Sequence, residues 1–207
     1  MRAIGIALGI LSVCRASAAG QVYAPKTGVG MAFTVASPAG QLAGFFNVFV
    51  PLNLGRHFRL EPQIGWRSSS FHEVASDPTA PANSLSGSTR VLLIGVGVLG
   101  TQQPGDGATI LYYGPRIGLA WTRANITDGS SASSLTETQS SWYGSVVVGG
   151  EHLFSHLSIG GEVGFGYLHT GTPQWTQSGP ATFTAADTQG HDLGTNATAL
   201  LRWYFGS

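Results

Sequence analysis

The chain contains one lysine, Lys26, and one cysteine, Cys14. Asp, Glu, Lys and Arg together make up 10% of its residues, against about 25% in an ordinary soluble domain. A water-exposed surface this poor in charge does not keep a protein dissolved. Formal charge is zero, so the basic footprint of a nucleic-acid partner is missing. After the first twenty or so residues, no apolar run approaches the length of about 18 that a membrane-spanning helix needs. Helical periodicity is scarce throughout.

The first residues, MRAIGIALGILSVCRASAAG, explain part of this inventory. Arg2 is a short basic start, Ala3 to Val13 an apolar run, and Ala16-Ser17-Ala18 a small-residue site. This order is that of a secretory signal peptide over 1–19, with cleavage expected near Ala18 or Ala19. The rival reading, a lipoprotein signal at Leu11–Cys14, requires a small residue where Val13 stands. Cleavage removes Arg2, Arg15 and Cys14, leaving eight basic and ten acidic residues. The mature chain would then have no disulfide, thiolate or cysteine–metal chemistry, and residues 20–207 would form one domain.

What remains is rich in glycine, 30 residues, and in period-two alternation. Eight segments show it: 27–37, 41–53, 58–71, 88–101, 109–124, 141–154, 157–171 and 191–205. Three connections are short: Asn53–His57, Gln102–Gly107 and Ser155-His156. Of the alternate connections, SPAG (Ser37–Gly40) is also short. The other three, 72–87, 125–140 and 172–190, are long and rich in Ser, Thr, Ala, Gly, Asn and Pro. Short turns at one end and long loops at the other are the layout of a transmembrane β-barrel.

Parity separates two faces. Phe58, Leu60, Pro62, Ile64 and Trp66 oppose Arg59, Glu61, Gln63, Gly65 and Arg67. Leu111, Tyr113, Ile117, Leu119 and Trp121 oppose Gly114, Arg116, Gly118, Ala120 and Thr122. Val146, Val148, His152 and Phe154 oppose Ser145, Gly149 and Glu151. Leu157, Ile159, Val163, Phe165 and Tyr167 oppose Ser158, Gly160, Glu162, Gly164 and Gly166. The last segment sets Ala197, Ala199, Leu201, Trp203 and Phe205 against Asn196, Thr198 and Arg202. Segments two and four are apolar on both parities in places, at Phe45, Phe49, Leu93 and Leu99. A soluble sandwich would carry lysines on its wet face, and a lipocalin-like barrel would put its bulk inside. Here bulk and charge sit the other way round, as lipid outside and a narrow lumen require. Backbone groups in lipid must be paired internally, so the sheet should close without a free edge. Trp66, Trp121 and Trp142 by the outer loops, with Trp203 and Phe205 by the terminus, form the expected aromatic girdles.

With the signal peptide, the stretches Gly114–Trp121 (GPRIGLAW), Gly149–Tyr167 (GGEHLFSHLSIGGEVGFGY) and Ala197–Phe205 (ATALLRWYF) resemble the eight-stranded outer-membrane barrels of Gram-negative bacteria, the OmpA/OmpX-like group. The last stretch is similar to the C-terminal signal read by the barrel-assembly machinery, although Gly206 and Ser207 follow Phe205 here. The resemblance implies an all-β, eight-stranded antiparallel up-and-down barrel in the bacterial outer membrane. Its expected partners are outer-membrane lipid and lipopolysaccharide, and the assembly machinery during insertion. It implies a monomer with no cofactor.

The polar parity places Arg59, Glu61, Arg67, Arg116, Glu151, Glu162, Asp192 and Arg202 on the lumen side. Four arginines and four acids can neutralise one another, and an unpaired buried charge is costly. The reading is an ion-pair network that plugs the lumen; the alternative is a narrow, gated ion path through the same residues. Some barrels of this size modify lipid A, using a His-x-Ser pair with a carboxylate. His156-Leu157-Ser158, with Glu162 four residues on, has the spacing. It lies at the wrong end of the barrel, and Ile159 stands where that pattern carries Asn. His169 lacks the serine, with Gly171 in its place. No metal-ligand spacing occurs. The acids Glu73, Asp77, Asp128, Glu137 and Asp187 fall in the long loops, a surface for solvation or contact. The expectation is a structural or loop-mediated interaction role without catalysis.

Overall fold

The computed structural model describes residues 27–36, 46–74, 84–104, 107–129, 131–180 and 189–205. The signal peptide, Lys26, the turn Ser37–Gly40, Phe45, Asp77 and Asp187 lie outside the described residues. Every regular element within them is a strand. In chain order these are β1 (Thr27–Ala36), β2 (Phe46–Phe49), β3 (Leu52–Asn53), β4 (Phe58–Val74), β5 (Ser84–Gln102), β6 (Thr109–Asp128), β7 (Ser133–Phe154), β8 (Leu157–Thr170), β9 (Gln174–Ser178) and β10 (Gly190–Phe205).

Each strand pairs antiparallel with its neighbour, and β10 returns to pair with β1 from Thr27↔Phe205 to Ala36↔Ala197. The sheet is therefore a closed ring of eight staves. β2 and β3 are one stave interrupted at Val50–Pro51, because proline has no N–H for the ladder. The ladder continues across the break through Gly28 N–H to Pro51 O (3.1 Å) and Val50 N–H to Pro62 O (3.0 Å). β9 lies off the ring and extends the upper part of β7, from Ser134↔Ser178 to Thr138↔Gln174.

The outward parity is the apolar one. Trp66, Val146 and Val163 are 62, 63 and 60% exposed, while Leu99, Tyr112 and Tyr204 on the opposite face are fully buried. This inverts the burial order of a water-soluble protein. The band between the outward rings of Trp203 and Trp142 can be measured along β8, where their partners are Leu157 and His169. Twelve residue steps at about 3.3 Å make roughly 40 Å of strand. A tilt of about 40° converts that to about 30 Å along the barrel axis, the thickness of a hydrocarbon core.

One end has tight turns. Leu54–His57 turns at Gly55 (φ 101°), and Ser155-His156 reverses the chain in two residues with Ser155 at φ 60°. At the other end the loops differ from expectation. The segment 125–140, expected to be an irregular loop, belongs largely to β6 and β7, with turn residues at Gly129, Ser131 and Ala132. Likewise β4 and β5 run into 72–87, and 172–190 contains β9. SSLTETQSS (Ser133–Ser141) pairs fully with β6. Leu135 is the one apolar side chain in this stretch, so no apolar alternation marks it. Trp66 and Trp121 are consequently not at strand ends. β4 continues from Trp66 to Val74, and β6 from Trp121 to Asp128.

Candidate functional site: a charged plug under an open cavity

The lower lumen is filled by six charged side chains from five staves. Arg59 and Glu61 come from β4, Arg116 from β6, Glu151 from β7, Glu162 from β8 and Arg202 from β10. Glu61 receives Arg116 at 2.6 Å and Arg202 at 2.9 Å, with Arg59 at 3.8 Å. Glu151 receives Arg59 at 2.8 Å and Arg202 at 3.1 Å. Arg116 also reaches Glu162 at 2.7 Å. Three guanidiniums face three carboxylates, so the cluster is formally neutral. Side-chain exposure runs from 0% at Arg59, Glu61, Glu151 and Arg202 to 8% at Glu162.

Hydroxyls and rings complete it. Tyr204 OH donates to Glu151 Oε1 (2.8 Å) and accepts from Arg59 (2.9 Å). Ser158 donates to Glu151 Oε2 (2.5 Å), and Arg59 Nε donates to Asn53 Oδ1 (2.8 Å). The Arg202 guanidinium lies 5.1 Å from the Tyr112 ring centre and 5.3 Å from that of Phe49. That is cation–π range. Each charged group is thus hydrogen-bonded as well as paired, which helps a buried ion cluster to offset its desolvation, although Arg59 Nη1 and Arg202 Nε have no hydrogen-bond partner among the described residues.

Glycines make the room. Many of the inward side chains stand directly across a ladder from a glycine, among them Tyr204 from Gly28, Arg202 from Gly30, Asn47 from Gly65, Arg116 from Gly97, Tyr143 from Gly118, Tyr112 from Gly149, and Asn196 from Gly164. A Cβ at any of these glycines would run into the side chain opposite. In a narrow barrel a large residue fits only where its neighbour has none.

Above the plug is a cavity of about 100 Å³, with Arg116 and Glu162 at its floor and Asp192 on its wall. Asn47 Oδ1, Asn196 Oδ1 and the Nε and Nη1 of Arg116 have no hydrogen-bond partner among the described residues. Arg67 and Asp192, expected in the network, take part in none of its six ion contacts. Both stand nearer the outer ends of their strands than the cluster residues do.

No protein-family model and no curated protein matches the chain. Among solved structures it is similar to CarO of Acinetobacter baumannii, at 10% identity and a TM-score of 0.41, covering 88% of this chain and 98% of that one. It is also similar to a major outer membrane protein of Thermus thermophilus, at 14% identity and a TM-score of 0.49, covering 86% and 100%. A third is the outer membrane protease OmpT of Escherichia coli, at 12% identity and a TM-score of 0.39, covering 78% and 63%. At these identities only architecture is compared.

The chain is a transmembrane β-barrel. Its own inside-out distribution of bulk and charge decides this. The girdle residues all face outward: Trp121, Trp142, Trp203 and Phe205 are 43, 47, 50 and 52% exposed. The His-x-Ser spacing does not assemble a site. His156 is in the tight turn, its ring 6.2 Å from that of Trp203 on the outside. Ser158 points into the lumen and is bound to Glu151. Among the described residues no group of His, Asp and Glu is placed to hold a metal ion.

Phe49, Tyr112 and Tyr204 are lumen residues that the polar parity alone does not name. Their signal is present as aromatic residues on the small-residue parity. Tyr112 interrupts the outward pair Leu111 and Tyr113, and Tyr204 the outward pair Trp203 and Phe205.

Proposed function

We propose that this chain is a monomeric bacterial outer-membrane barrel without a through-pore, acting by structure and by contacts made outside the cell. The observation that carries this reading is the charge cluster. Six ion contacts across five staves fill the lower lumen with side chains of 0–8% exposure. A solute would have to break several buried pairs to pass. The surface available for interaction is the paired β6–β7 hairpin with β9 alongside, and the ends of β4 and β5. No catalytic role is assigned, since the nucleophile-and-base spacing in the sequence is split between the two faces of the wall. Lipopolysaccharide and the barrel-assembly machinery are the partners this placement implies.

The test begins with electrophoresis of an outer-membrane fraction, unheated against boiled in SDS. A closed barrel keeps its strand edges paired until heated, so the unheated form should migrate differently. Planar-bilayer recording should then give no sustained conductance. A soluble periplasmic protein without a mobility shift would overturn the membrane placement. A steady ohmic conductance would instead favour the narrow ion path, to which the cavity above Arg116 would be the vestibule.

A further inference from the structure

Two arginines outside the lumen are paired with each other. Arg90 on β5 and Arg123 on β6 are directly opposite in the ladder, and both side chains are exposed. They share the outward parity with Leu92 and Trp121. Like charges facing each other across a ladder have Cβ atoms about 5 Å apart and destabilise the pair. No ion pair joins either arginine to an acid among the described residues. The outward positions around them are Ser68 and Ser70 on β4, Ser88 on β5, Asn125 on β6, and Thr136 and Thr138 on β7. None is acidic. A fold that sets two guanidiniums side by side, with no carboxylate on the outward positions around them among the described residues, presents a site for an anion.

The height of the pair identifies the anion's source. The ladder rung Trp66–Leu92–Trp121 lies two residues closer to the membrane centre on the same face. Arg90 and Arg123 therefore stand about 7 Å further along their strands. Trp66 and Trp121 mark the outer interface, so the arginines occupy the level of lipid headgroups. Beside Arg123 is a groove lined by Trp121, Thr138, Ser140, Thr172 and Gln174. An indole, hydroxyls and an amide next to an exposed guanidinium are what a phosphorylated sugar needs: stacking for the ring, hydrogen bonds for its hydroxyls, a charged fork for its phosphate.

We infer that Arg90, Arg123 and the groove beside Trp121 form a docking site for the phosphorylated sugar headgroup of an outer-leaflet glycolipid. The inference rests on the outer-membrane placement proposed above. It adds that one sector of the wall, β4 to β7, holds such a lipid by charge.

The experiment uses the purified barrel in a zwitterionic detergent, with native mass spectrometry as the readout. The probes are a bis-phosphorylated disaccharide lipid of the lipid A type and the same lipid after enzymatic dephosphorylation. The wild-type chain should retain the phosphorylated lipid at least about tenfold more tightly, the scale of a lost hydrogen bond to a charged group. The double variant Arg90→Gln/Arg123→Gln should lose that preference. Its thermal behaviour should also invert. Without glycolipid it should be at least as heat-resistant as wild type, because the repulsion is gone. With phosphorylated glycolipid it should be less so, because ligand stabilisation is lost. Equal retention of the two lipids by wild type would overturn the inference, as would a double variant that keeps the preference. Inorganic phosphate displacing the lipid at equal concentration would also overturn it, reducing the site to a simple anion site. If the variant fails to insert, the wild-type comparison alone decides. Heat-dependent mobility of the same samples reports separately on the barrel, so failure of the membrane reading is distinguishable from failure of the site.

Discussion

Replacing Glu61 by glutamine takes one of three carboxylates from a cluster of three guanidiniums. Glu61 lies 2.6 Å from Arg116, 2.9 Å from Arg202 and 3.8 Å from Arg59, and is fully buried. The amide keeps the shape and one carbonyl acceptor, so packing changes little. What changes is charge: three guanidiniums would face two carboxylates where no water competes. Removing one partner of a buried pair costs about 3–5 kcal/mol. At about 1.4 kcal/mol per tenfold, the unfolding equilibrium should shift by roughly two to four powers of ten. Urea unfolding in lipid vesicles, followed by tryptophan fluorescence, reads this directly. The double variant Glu61→Gln/Arg202→Gln restores two against two and should recover a substantial part of the loss. A single variant within about 0.5 kcal/mol of wild type would refute the reasoning, since that is the range of ordinary surface changes. So would a double variant whose loss is the sum of the two single losses, since coupled pairs are not additive.

Two further expectations follow from backbone and rim. Gly114 sits at φ 152°, and an added Cβ would overlap the Val98 carbonyl oxygen. Gly114→Ala should therefore cost about 1–3 kcal/mol in the same urea titration, and a neutral outcome would mean that β5 yields there. Glu137, beyond the outer aromatic rung, has its carboxyl raised above the ordinary value by partial burial. A raised acid binds its proton more tightly folded than unfolded. The β6–β7 hairpin should therefore gain stability as pH falls through the raised folded value towards the ordinary 4.5. Hydrogen exchange of the hairpin amides, corrected for intrinsic rates, should show this, and Glu137→Gln should flatten it. An unchanged slope in the variant would assign the effect to another group.

The faces of the wall were legible because lipid enforces them. Wherever a strand crosses hydrocarbon, one parity must be apolar, and Val146, Ile159, Val163 and Trp203 follow that rule. Register was not legible. That Glu61 meets Arg116 and Arg202 depends on how β4 stands against β6 and β10, and no local pattern states it. Arg67 shares its parity with Arg59 and Glu61 yet takes no part in the six contacts, because parity fixes side and not height. The rim hairpins escaped for the opposite reason. From Ser133 to Ser140 only Leu135 is apolar, so no alternation marks a strand there. The glycines were visible, but their meaning was not. Gly149 is informative only once Tyr112 is known to stand across from it.

The charge cluster also constrains how the barrel can be assembled. Its close ion contacts join β4 to β6, β7 and β10, β7 to β10, and β6 to β8. None of these strand pairs is adjacent in the ring. Within β4 itself, Arg59 and Glu61 approach only to 3.8 Å. Arg202, on the last strand, is 141 residues beyond its partner Glu61. A single hairpin entering the bilayer would therefore carry its ions into hydrocarbon without their close partners. Those partners arrive only as the ring curls shut and β10 meets β1. Closure and insertion are thereby tied into one event, and an open, half-inserted barrel is a state that these six side chains penalise.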